Sequence, residues 1–376
     1  MSPATNPAFA NCHSHAFHRA LRGRAVGGTD FWGWRDGMYA VAQALDPDLY
    51  HRLARATYAE MALAGIGAVG EFHYLHHNVG GVPYADPHAM ADAVIAAAWE
   101  VGIRICLLDT CYLRAGFDDA EFAPAQRRFT YPDADTWATH ATALAARYAD
   151  NPAVVIGAAI HSVRAVDEAA LPVAATALPD APLHVHVSEQ PAENDACLAA
   201  TGRTPVQLLA DAGVWGPRTT AVHATHLTAD DIAILGESAS YACFCPTTEA
   251  ELADGIGPSV ALRDAGARIT LGSDSHTVID MFAEARGLAM HERLASGSRE
   301  GWTAGRLWQA ATTDGATSLD FGGLGGFELT GSVRTAGASE PLWTATAADV
   351  VPPADLDPAW VRAELDATIT EVWSRV

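Results

Sequence analysis

The sequence predicts an α/β chain wound as a (β/α)8 barrel, on three observations. Eight short apolar, β-branched runs lie between residues 8 and 276, and helix-compatible stretches separate them. Polar residues collect at the C-terminal ends of the runs, the end at which barrels of this kind build their sites. A doubly wound open sheet is the alternative architecture.

The runs, in order, are AFANCHSH (8–15), AVGEFHYL (68–75), IRICLLDTCY (103–112), VVIGAAIHSV (154–163), PLHVHVSE (182–189), TTAVHATHL (219–227), SYACFCPTT (240–248) and RITLGSDSH (268–276). PDLYHRLARATYAEMALAG, ADAVIAAAWEVG and TWATHATALAARYAD carry helical periodicity between them, several closing on glycine or asparagine as helix C-termini do. From about residue 318 the pattern changes: GGLGGFELTGSVRTAG is turn-like and PAWVRAELDATITEVWSRV reads as a terminal helix. The expected organisation is a barrel over 8–317 and a shortened tail over 318–376.

Composition narrows the function. With 49% hydrophobic and 18% charged residues the 376-residue chain is globular, and its formal charge of −22 argues against nucleic acid and anionic membrane as partners. No apolar run approaches the ~20 residues of a spanning helix, and MSPATNPAFA lacks the basic start and long apolar stretch of a secretion signal, so a cytoplasmic location is expected. All 23 basic residues are arginine. Without lysine there is no Schiff-base chemistry, no phosphate-loop lysine and no carbamylated metal bridge. The six cysteines form no CxxC pair and sit mostly in apolar runs, which predicts buried free thiols.

The rim residues suggest a metal. His13 and His15 are two apart, so an extended strand turns both imidazoles to one face. The fifth run ends with His184, His186 and Glu189, the sixth carries His223 and His226, and the eighth ends with Asp274 and His276. Any one of these residues has an ordinary structural explanation, but four strands delivering imidazole and carboxylate to one rim point to a metal site. His184 faces the same way as His186 and lies deeper, which favours a structural role.

The phrases NCHSHAFHRALRG, FWGWRDGMY, GEFHYLHH, AAIHSVRAV, PLHVHVSEQ, AVHATHLT, CPTTEAELADGIG and LGSDSH resemble the amidohydrolase superfamily. Within it they are most similar to mononuclear-metal deaminases that convert N-formimino-L-glutamate to N-formyl-L-glutamate and ammonia in histidine degradation. The resemblance implies a TIM-like barrel of the metal-dependent hydrolase type. It implies one divalent ion per chain, zinc or else iron, on His13, His15, His186 and Asp274, with Glu189, His223 and Asp274 as catalytic groups. It assigns substrate binding to Arg35, Tyr74, His161 and Arg164. Many relatives carry glutamine where this chain has His18, which is expected to be a substrate-side donor. The resemblance covers the barrel and leaves the family's small β-sandwich absent or reduced to a remnant; relatives suggest a homodimer.

On this reading Asp274 takes a proton from water, His223 assists the attack on the formimino carbon, and Glu189 carries a proton to the departing nitrogen. The substrate is a small dicarboxylate amidine, and the planar forks of Arg35 and Arg164 suit its carboxylates. Two other readings are an aminohydrolase of a purine- or pyrimidine-like ring, which would need no paired arginines, and a non-catalytic metal-binding scaffold, which would need no proton-transfer residues.

Overall fold

The computed structural model describes residues 5–24, 31–118, 120–330, 333 and 340–376. Eight strands form one parallel sheet in sequential order: β1 (Phe9–Ser14), β2 (Ile66–His73), β3 (Arg104–Cys111), β4 (Val154–Ile160), β5 (Leu183–Val187), β6 (Thr219–His223), β7 (Tyr241–Phe244) and β8 (Arg268–Leu271). Strands buried on both faces read as continuous apolar runs, which is why all eight were visible as such. The order is that of the expected barrel and not of an open doubly wound sheet.

Closure between β8 and β1 is made just beyond the end of β8. Ser14 and Asp274 form a parallel bridge, and the Ser273 and Asp274 amides donate to the His13 carbonyl at 3.1 and 2.9 Å. The Asn11 side chain completes the seam: its Nδ2 donates to Ser273 Oγ at 2.7 Å, and its Oδ1 accepts from the Ser273 amide at 2.9 Å. Gly272 permits this approach, because a Cβ there would lie 2.7 Å from His13 Cβ.

The helices begin and end where local chemistry directs. Asp46 caps Pro47–Leu63 by accepting from the Leu49 amide, and Gly102 ends Ala89–Val101 in the left-handed conformation. The terminal helix Pro358–Arg375 packs on Pro47–Leu63, with Val361 and Leu365 buried against Ala56 and Ala59. Outside the barrel, Asn6–Pro7 pairs antiparallel with Gly326–Phe327, and Leu329 bridges to Val350. Part of the glycine-rich stretch, 331–332 and 334–339, lies outside the described residues. All six cysteines are free and buried. Among the described residues no helix is long and apolar enough to cross a membrane.

Several strands stop short of the sequence expectation. The sixth run ends at His223 instead of 227, the seventh at Phe244 instead of 248, and the eighth at Leu271 instead of 276. In the sixth and eighth runs the backbone turns left-handed, at His223 (φ 68°), Asp274 (42°) and His276 (58°), and in the seventh the helix Pro246–Glu251 starts right after Cys245. Left-handed residues other than glycine are uncommon, and Ser188, His223, Ala224, Asp274 and His276 all end or follow strands at the C-terminal rim.

Candidate metal centre and cleft

β1 sends both of its histidines inward, as the two-residue spacing requires. His13 Nε2 lies 3.1 Å from His186 Nε2 and 3.4 Å from Asp274 Oδ1, and His15 Nε2 lies 3.4 Å from the same carboxylate oxygen. One nitrogen or oxygen from each of His13, His15 and Asp274 falls within 4.8 Å of the others, as does one from each of His13, His186 and His223. Separations of 3.1 to 3.4 Å are those of ligands gathered around a single ion with bonds of ~2.0–2.2 Å.

Two backbone carbonyls set the tautomers. His15 Nδ1 is 2.9 Å from the Phe72 carbonyl and His186 Nδ1 is 2.8 Å from the His161 carbonyl. A carbonyl only accepts, so both Nδ1 atoms carry the proton and both Nε2 lone pairs face the centre, as in imidazole–metal sites. Burial pushes the pKa values of His13, His15 and His186 down, which keeps them neutral and able to donate lone pairs. The residues present fit a divalent cation. His184, two residues before His186 on β5, is also buried, and burial brings its pKa down to about 3.

His223 stands apart electrostatically. Burial would lower its pKa, but Glu189, Glu249 and Asp274 together hold it well above the usual value. Its Nε2 is 3.9 Å from both Glu189 Oε1 and Asp274 Oδ2, and its Nδ1 is 3.5 Å from Glu249 Oε1. A divalent cation in the centre would work against that proton. His223 can therefore act as a cation or as a donor nitrogen. Glu249, buried and fixed by the Cys245 amide at 2.8 Å, escaped the sequence reading although it lies within CPTTEAELADGIG.

Beneath the centre runs a buried polar network. Glu71 accepts from Ser14 Oγ at 2.5 Å and from the Ala16 amide at 2.7 Å; His276 lies 3.0 Å from Ser14 Oγ and 2.9 Å from Ser273 Oγ. Arg19, also buried, donates to the His276 carbonyl and pairs with Glu60 at 2.6 Å. These groups pin the turn that carries Asp274 to the turn that follows His15.

A cleft opens onto the centre. All five residues expected on the substrate side line it: His18, Arg35, Tyr74, His161 and Arg164. His18 Nε2 is 3.0 Å from the Tyr74 hydroxyl. Arg164 faces a buried carboxylate, Glu193, at 3.7 Å, and its loop is held by Arg114, which donates to the Val163 and Arg164 carbonyls. Trp34, Tyr39, Tyr112, Gln126 and Phe129 also line the cleft and were not foreseen; nothing in their spacing marks them. Arg128 is buried, with its guanidinium on the carbonyls of Ala42 and His77.

An eight-stranded parallel barrel with this donor set at its C-terminal rim defines an amidohydrolase: residues 6–328 match the Amidohydrolase family, and the chain belongs to it. It is 36% identical over 328 residues to the formimidoylglutamate deiminase of Pseudomonas aeruginosa, covering 84% of this chain and 72% of that one. It is 32% identical over 301 residues to the 8-oxoguanine deaminase of the same species, covering 78% and 65%. An amidohydrolase structure from Brucella melitensis is 30% identical and superposes with a TM-score of 0.89, covering 98% of this chain and 90% of that one.

Proposed function

We propose that the protein is a metal-dependent deiminase that hydrolyses N-formimino-L-glutamate to N-formyl-L-glutamate and ammonia. The observation that carries this reading is that Arg35 and Arg164 line the same cleft as His15, His186 and Asp274. An anionic substrate is thereby drawn into an otherwise acidic chain, with its reactive end directed at the imidazoles. The likeness to a formimidoylglutamate deiminase supports the same choice.

Held by His13, His15, His186 and Asp274, a divalent ion would supply Lewis acidity and a water whose pKa is lowered to roughly 7. Asp274 accepts the proton of the attacking water. His223 offers an N–H toward the substrate and steadies the charge that develops as water adds to the formimino carbon. Glu189, 3.9 Å from His223, relays both water protons, the one first taken by Asp274 and the one left on the added hydroxyl, to the terminal nitrogen, which leaves as ammonia while the formyl group stays on the amino acid. Arg35, Arg164, Tyr74, His161 and His18 hold the rest of the substrate, so that this C–N bond, and not the one to the amino acid, meets Glu189.

A ring aminohydrolase is the second reading, favoured by the aromatic residues Trp34, Tyr39, Tyr112 and Phe129 in the cleft and by the likeness to 8-oxoguanine deaminase. The two readings part on the arginines, for which a neutral ring has no use. The deciding assay is ammonia release by zinc-loaded protein from N-formimino-L-glutamate, with a purine amine and the Glu189→Gln variant as controls. Ammonia and formylglutamate from the wild type alone support the deiminase; ammonia from the ring amine alone supports the second reading.

A further inference from the structure

One wall of the cleft is built from groups that the chemistry above does not use. Tyr39, Tyr112 and Gln126 line it beside Arg35 and Arg164. Gln126 is buried, and its amide has a fixed orientation: Oε1 accepts from the Ala123 amide at 2.8 Å, so Nε2 must point the other way. Nε2 donates to the Tyr112 hydroxyl oxygen at 2.7 Å. A phenol that accepts on that side keeps its own O–H to donate elsewhere. The Tyr112 ring lies 4.6 Å from that of His161, which also lines the cleft. Burial raises the Tyr112 pKa and keeps the phenol neutral, while Gln126, the charges of Arg164 and Arg35 and the neighbouring Tyr39 hydroxyl pull the other way. The hydroxyl therefore sits within the field of both cations, where an anion is best stabilised.

We infer that Tyr112, aimed by Gln126, donates its hydroxyl proton to one of the two substrate carboxylates and so determines specificity for a dicarboxylate. The inference rests on the deiminase reading, which supplies the second carboxylate. Gln126 acts through Tyr112 and is a positioning residue. A phenol placed only for packing would make no distinction between one acid group and two.

The test is calorimetric binding to the zinc-loaded protein of three probes: N-formyl-L-glutamate, 4-formamidobutanoate, which lacks the α-carboxylate, and N-formyl-L-norvaline, which lacks the side-chain carboxylate. Tyr112→Phe should weaken N-formyl-L-glutamate roughly tenfold, the size expected for one hydrogen bond to a charged group. It should weaken one monoacid similarly and spare the other. Gln126→Met should weaken the same two probes by less, and the double variant should bind no worse than Tyr112→Phe, because the amide acts only through the hydroxyl. Unchanged binding in Tyr112→Phe, equal losses on all three probes, additive losses in the double variant or a wild type that binds none of them would each overturn the inference. Turnover of N-formimino-L-glutamate is measured on the same samples. A wild type that binds the probes with the expected pattern yet releases no ammonia would sink the deiminase reading and leave the Tyr112 assignment standing.

Discussion

His186 donates its Nδ1 proton to the main-chain carbonyl of His161 at 2.8 Å, so the two residues are joined through the backbone of one and the ring of the other. The His161 ring itself lines the cleft. This separates two functions that share a residue. His161→Ala keeps the carbonyl and with it the His186 tautomer, so metal content should stay at the wild-type level while the KM for the substrate rises. His186→Ala removes a donor nitrogen, and metal measured by atomic emission after dialysis should fall toward zero, with activity down at least ~100-fold. Loss of metal in His161→Ala would contradict the division.

Glu189 lies at the cleft wall and faces His223, away from the 3.1 to 3.4 Å contacts that link His13, His15, His186 and Asp274. Its expected work is proton transfer and not metal binding. Glu189→Gln should keep metal content and thermal midpoint while kcat falls by ~10²–10⁴, the usual span for a lost general acid. A variant that loses metal in proportion to activity would make Glu189 a ligand instead.

The eight strands were legible because each crosses a core buried on both faces, and the His13/His15 pair was legible because one strand presents both rings. The strand ends were not. His223 ends the run TTAVH and Asp274 follows Gly272 and Ser273, and both turn into left-handed backbone, which composition does not reveal. The second layer was equally hidden. Glu193 lies in the first turn of the helix Pro191–Thr201 and is buried against Arg164, a contact between segments far apart in the chain. Gln126 and Tyr112 reach the cleft from different segments, and only the folded chain brings the amide to the hydroxyl.

The Arg164–Glu193 pair makes a prediction of its own. The Glu193 carboxylate is buried, its pKa raised by burial against the pull of Arg164 3.7 Å away. Arg164→Met should therefore act twice: it removes a carboxylate partner for the substrate, raising KM by roughly 10–100-fold, and it strands a buried carboxylate, lowering the thermal midpoint. Adding Glu193→Gln should recover the midpoint and leave KM high. If the second change also restored KM, Arg164 would be a structural residue and not a substrate ligand.

Glu284 offers a test remote from the imidazoles. Fully buried on the helix Met281–Ser296, it accepts from Thr247 Oγ1 at 2.5 Å and from the Thr247 amide at 3.0 Å, anchoring the segment that carries Glu249. Both donors favour the ionised form, but burial outweighs them, helped by the charges of Glu249 and Asp280, and its pKa rises from 4.5 to about 8. A carboxyl whose pKa is higher folded than unfolded binds its proton more tightly in the native state. Its stabilising contribution is therefore complete below pH 4.5 and is lost as pH rises through about 8. Glutamine does not titrate, so the difference in thermal midpoint, Glu284→Gln minus wild type, should climb in favour of the variant between pH 5 and pH ~9 and level off on either side. Buried histidines such as His184 and His276 also shape the absolute profile, since both are held neutral by burial, but they are common to the two proteins and cancel in the difference. A difference that stays flat across this range would mean that Glu284 is ionised throughout, with the two Thr247 donors outweighing its burial.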